Sequence, residues 1–182
     1  SEMCKETGHA GSSRNFTSIE DNAEALLQYI DEHWGGHIFL IGGLSLGGQV
    51  LVEMLAQRPS FCEYAIIESA CVIPSKLTNT LIKPMFDMSF GLIKKSGLQT
   101  AIQVAENQAD LFAAYFEDTC KISKQDMIAF MKANTSYSCK EEISRTTAKV
   151  TVVVGAREQS NMISSARKLH QMIPGSTLFI KD

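Results

Sequence analysis

Apolar residues recur along this chain with two periods. Four short runs rich in β-branched and aromatic residues read as strands: His37–Ile41, Tyr64–Ile67, Lys149–Val154 and Ser176–Ile180. Helical spacing fills the gaps. Ile19, Ala23, Leu26, Leu27, Ile30 and Trp34 form one helical face, opened by a Thr17-Ser18-Ile19-Glu20 capping box with Thr17 as N-cap and closed by Gly35-Gly36. Val50, Leu51, Met54 and Leu55 mark a second helix, stopped near Arg58-Pro59. Ser160–Met172, closed by Pro174-Gly175, is a third. Strand–helix–strand order with apolar strands predicts an α/β fold, a mostly parallel sheet with helices on both faces.

Two segments break that rhythm. Residues 1–16 form a loop without periodicity. From Pro74 to about Ser144 no strand pattern appears, and Ala101–Phe116 and Asp126–Ala133 read as helices. The core is expected over residues 1–72 and 146–182, with an all-helical insertion over 73–145.

Chemistry concentrates where the first strand meets its helix. Gly43-Leu44-Ser45-Leu46-Gly47 is a G-x-S-x-G between a strand and a helix. A serine at the tip of such a turn takes a strained backbone conformation with its hydroxyl exposed. Gly43 and Gly47, two residues either side, let strand and helix close together. The backbone N–H of Leu46 then lies at a helix N-terminus, where it can face a developing oxyanion. Two other readings stand beside this one. The serine could simply cap the helix. A phosphate loop would need Lys-Ser/Thr after its last glycine, and Gly48-Gln49-Val50 has none.

On these residues the sequence resembles the α/β-hydrolase superfamily. Thr7-Gly8-His9-Ala10-Gly11-Ser12-Ser13 resembles that family's PGHGxS loop. The helix from Ser18 to Trp34 sits where the family places the helix before its nucleophile strand. Val150–Gly155 resembles the strand that carries the triad's acidic member. The resemblance implies an α/β-hydrolase core with residues 73–145 as a helical cap. It also implies a serine, acid, histidine triad in that chain order. Ser45 becomes the nucleophile, Leu46 an oxyanion donor, and Gly43 and Gly47 the elbow glycines. Glu158 holds the family's G-x-x-D position, with Glu in place of Asp. Its plain alternative is a surface carboxylate favoured by a helix start. Glu68, ending the second strand, is the other candidate acid. Met85, Phe86 and Phe90 would line an acyl pocket or hold the cap to the core.

The family's histidine follows the last strand. His170 falls on a helix before that strand, His33 and His37 lie at the end opposite the elbow, and His9 belongs to the GHG-like loop. The chain is therefore expected to continue past Asp182 with a histidine within a few residues. Strands are expected before Ser1, where the family's second oxyanion donor would also lie.

Composition narrows the rest. The chain has 182 residues, 45% hydrophobic and 20% charged, which suits one globular domain. A net charge of −3 leaves no basic footprint for nucleic acid. No apolar run reaches the length of a membrane span. Cys4, Cys62, Cys71, Cys120 and Cys139 are odd in number and widely spaced, against a disulfide framework or zinc site and in favour of a cytoplasmic setting. No cofactor or metal is implied. The implied activity is hydrolysis of a small carboxylic ester or thioester through an acyl-enzyme. Serine rather than aspartate at the elbow argues against dehalogenation or epoxide opening. A non-catalytic hydrolase-like protein that binds a ligand or partner, and a hydrolase-fold lyase or transferase, remain open readings.

Overall fold

The computed structural model describes residues 17–75, 84 and 124–182. The chain forms two compact units, residues 18–76 with 133–182 and residues 1–17 with 77–132. The first unit carries a four-stranded parallel sheet in sequence order: β1 (Ile38–Leu44), β2 (Cys62–Glu68), β3 (Lys149–Gly155) and β4 (Thr177–Lys181). Gly43 lies opposite Ile67, Ile67 opposite Val152, and Val152 opposite Leu178. All four C-terminal ends therefore share one end of the sheet, where open parallel sheets bind their ligands. The helices are α1 (Ile19–Trp34), α2 (Leu46–Gln57), α3 (Lys124–Ser136) and α4 (Ser160–Met172), with a 3-10 turn at Glu141–Arg145. The α/β class, the parallel sheet flanked by helices and all four strands are as the sequence predicts. No helix among the described residues is long and apolar enough to cross a membrane.

The start of α1 corrects the expected cap by one residue. Ser18, not Thr17, is the N-cap: its backbone is extended and its side chain accepts the Asp21 N–H at 3.0 Å. Side-chain capping of the N3 amide is the same physics one step later. Ile19, Ala23, Leu27 and Ile30 are buried as expected. Trp34 is not, at 55% exposure, because the last turn from Asp31 onward has run past the packed layer. Gly35 then turns the chain with φ 66°, a conformation open to glycine.

Helix α2 is the centre of the unit. Leu46 and every residue from Gly48 to Ala56 are buried, because α1 packs on one side and the 3-10 turn on another. Val50, Leu51, Met54 and Leu55 are buried, as are Ile67, Val152 and Ile143, each such side chain contributing about 1.5–3 kcal/mol. One ion is buried with them. Glu53 is 0% exposed and accepts hydrogen bonds from Lys140 Nζ (2.5 Å), Gln57 Nε2 (2.9 Å) and Tyr137 Oη (3.1 Å). Three donors satisfy a carboxylate that would otherwise be costly to bury.

The two faces of the sheet differ. Ala65, Ile67, Val150, Val152 and Val154 are buried on one face of the sheet, which α2 and α4 contact. On the opposite face Leu40, Leu44, Ile66 and Phe179 are exposed.

Candidate active site

The turn between β1 and α2 is tight at Gly43 and Ser45. Ser45 is exposed and takes φ 54°, ψ −115°, a region that costs a non-glycine residue about 1–3 kcal/mol. A Cβ on Gly43 would lie 2.4 Å from the Gly47 carbonyl oxygen, so strand and helix close only because Gly43 has none. Ser45 holds the N-cap position of α2 yet makes no side-chain capping bond, which removes the reading of a serine that merely caps a helix. Its Oγ has no partner among the described residues. The Leu46 N–H, first in the helix, points out of the helix end with the dipole behind it.

Gly48 belongs to this turn and was not singled out from the sequence. A Cβ there would meet Ala70 Cβ at 2.9 Å, Gly43 O at 3.1 Å and Glu68 O at 3.2 Å. The available signal was energetic. A glycine inside an apolar helix costs about 1 kcal/mol against alanine, so it needs a packing reason.

Neighbouring strand ends are stitched together. The Ser45 N–H donates to Glu68 O at 2.8 Å, and the Ser69 N–H donates to Val153 O at 2.9 Å. Ser69 is the other non-glycine residue with positive φ among those described, at 50°. Its Oγ donates to Glu158 Oε1 at 2.6 Å, and the Gly155 N–H donates to the same oxygen at 2.8 Å. Glu158 thus curls back over its own turn after β3, which uses the methylene it has in excess of an aspartate. Ser69, too, was missed from the sequence, because its bond partner is 89 residues away.

Glu158, Gly155, Val153, Glu68 and Lys181 line an open cleft of about 640 Å³ at this end of the sheet. Ser45 does not line it; it stands beside Glu68, two strands from Glu158. Glu68 also reaches the cleft but ends an exposed strand position with no hydrogen bond from its side chain among the described residues.

The described histidines lie elsewhere. His33 in the last turn of α1 stacks on Tyr29, His37 precedes β1, and His170 in α4 pairs with Ser176 Oγ at 2.9 Å. All three sit toward the N-terminal end of the strands. His9, the GHG-like loop, Met85, Phe86, Phe90 and the expected helix Ala101–Phe116 lie outside the described residues. The expected helix Asp126–Ala133 falls within α3. No cluster of His, Cys, Asp and Glu suited to a metal occurs among the described residues.

The sequence matches no protein-family model and no curated protein. Solved structures are similar in fold. An enol-lactonase from Burkholderia xenovorans LB400 is 15% identical with a TM-score of 0.69, over 96% of this chain and 69% of its own. An alpha/beta hydrolase enzyme from a Medee basin deep-sea metagenome library is 13% identical with a TM-score of 0.65, over 93% and 65%. A thermophilic esterase from Thermogutta terrifontis is 13% identical with a TM-score of 0.64, over 90% and 63%. The chain spans about three-fifths of that esterase's length. Its fold is that of the α/β hydrolases.

Proposed function

We propose that this α/β-hydrolase core belongs to a serine hydrolase that cleaves a small carboxylic ester or thioester. One observation carries the reading: a strained, exposed serine whose hydroxyl has no partner among the described residues, at the N-terminus of a buried helix. Strain of this kind persists where it is used. Likeness in fold to an esterase and an enol-lactonase supports the reaction class.

In this reading Ser45 Oγ attacks the acyl carbon and its proton passes to a histidine. The tetrahedral oxyanion takes the Leu46 N–H. The leaving alcohol or thiol collects the proton, and water then releases the acid from Ser45 by the same steps. Glu158, held by Ser69 and Gly155, would orient that histidine through its free Oε2. Chain order in this fold puts the histidine after β4, and β4 ends at the cleft that Glu158 lines. The acyl pocket is proposed on the residues between β2 and β3, the expected cap, with Met85, Phe86 and Phe90 as apolar lining. No cofactor takes part in these steps.

The test is turnover of short-chain p-nitrophenyl esters by the full-length protein and by Ser45→Ala. Hydrolysis that disappears in the variant, with circular dichroism unchanged, supports the assignment. Retained turnover sinks it. A wild-type protein with no turnover favours a non-catalytic binding role for the same fold.

A further inference from the structure

We infer that Ser69 is a positioning residue of the hydrolytic site, its hydroxyl tethering Glu158 Oε1 so that only Oε2 is offered to the base. The inference rests on the triad reading above and names a part of it that no motif contains.

The geometry is specific. Ser69 Oγ and Gly155 N–H both donate to Oε1, at 2.6 and 2.8 Å, from two different strand ends. Two donors on one oxygen fix the plane of the carboxylate as well as its position. Oε2 has no partner among the described residues. A histidine N–H approaching along the cleft therefore meets one defined acceptor. With Gly155 alone, the carboxylate could swing about a single bond. Glutamate has one more rotatable bond than aspartate, so a second tether restores the order that the shorter side chain would have had. Orientation of the base by such an acceptor decides its tautomer and stabilises the imidazolium, and small displacements of a positioning group cost rate steeply.

The backbone argues the same way. Ser69 has φ 50°, where glycine sits without strain and serine does not. Its N–H is fixed on Val153 O at 2.9 Å, so the turn does not need the side chain for its own closure. A serine kept there at a conformational cost is explained by its hydroxyl, and that hydroxyl goes to Glu158.

The deciding variant is Ser69→Gly in the full-length protein, which removes the hydroxyl and relieves the strain together. The inference predicts kcat lower by about 10- to 100-fold, KM within twofold, and a melting temperature equal to or above wild type. A purely structural serine predicts the reverse, with kcat kept. The Gly155 amide proton provides a readout apart from activity: its chemical shift should move in Ser69→Gly, because its acceptor is no longer held. A wild-type protein that turns over esters alongside a Ser69→Gly variant within twofold in kcat overturns the tether and leaves the Ser45 assignment standing. An unmoved Gly155 amide overturns it regardless of activity. A wild-type protein without turnover sinks the hydrolase reading itself, and the catalytic role of Ser69 with it.

Discussion

Ser45 and Ser69 follow the ends of neighbouring strands, and both have positive φ, 54° and 50°. Each gives its N–H to a carbonyl of the adjacent strand, Glu68 O at 2.8 Å and Val153 O at 2.9 Å. Their side chains part company. The Ser45 hydroxyl has no partner among the described residues, at the N-cap of α2. The Ser69 hydroxyl is committed to Glu158 at 2.6 Å. Positive φ thus goes with two different uses of a serine hydroxyl in adjacent turns. Positive φ at a serine marks a site of use, but what surrounds the oxygen decides the use.

The comparison breaks most visibly at the oxygens. Ser45→Ala should lower kcat by about 10⁶-fold and shift stability by no more than about 0.5 kcal/mol, measured by ester turnover and urea titration of the full-length protein. Glu158→Gln should lower kcat by about 10⁴-fold with KM little changed, since an amide neither fixes the tautomer nor stabilises the imidazolium. Glu68→Gln should stay within a few-fold of wild type. A large loss at Glu68 with little at Glu158 would move the acid, and would leave the Ser69 hydroxyl without a catalytic partner.

The turns themselves come next. Gly43→Ala drives a Cβ to 2.4 Å from the Gly47 carbonyl, backbone that cannot yield without opening the elbow. It should cost about 3 kcal/mol in urea denaturation. Gly48→Ala meets Ala70 Cβ at 2.9 Å and Glu68 O at 3.2 Å, so it presses on the Ser69 turn as well. A smaller loss of about 1–2 kcal/mol is expected there. Equal tolerance of both alanines would mean that the elbow is not closed by its glycines.

How much of this could be read from the chain depends on the range of each interaction. The strands, α4 and the tight turn at Gly43 were legible, because apolar period and glycine spacing act within a few residues. The cap of α1 was misplaced by one residue, since Thr17 and Ser18 are both capping types and only backbone geometry chooses between them. Trp34 has the right spacing for burial, but spacing does not tell where the packed layer stops. Glu158 was legible only as a position, after a strand and before a helix. Its tether to Ser69 was not, because β2 and β3 become neighbours through the fold alone. The same holds for Glu53, whose partners Tyr137 and Lys140 lie 84 and 87 residues further along the chain.

That buried ion gives a smaller effect, on the helix both turns lean against. Lys140→Met should cost about 2 kcal/mol. Loss from a fully buried pair would be greater, but Lys140 keeps 44% of its side chain in water and Tyr137 and Gln57 still serve the carboxylate. Alkaline pH should act in the same direction. The hydrogen bond to Glu53 holds Lys140 above its ordinary 10.5, and burial pushes the Cys62 thiol up to about 11 and Cys139 up to about 12. Each folded value lies above the unfolded one, so the stability these groups contribute is whole below about pH 9 and is lost as pH rises toward 12. Urea midpoints from pH 7 to 11 should stay level to pH 9 and then fall. A midpoint that rises above pH 9 would contradict the assignment of these groups.

The central claim is that, of two serines with positive φ, Ser45 is the activated one. Brief treatment of the full-length protein with a fluorophosphonate, followed by peptide mass mapping, tests it directly. The account predicts a single rapid adduct on Ser45, absent from Ser45→Ala and slowed in Glu158→Gln. An adduct on Ser69, or none on Ser45 while the protein still hydrolyses esters, would contradict it.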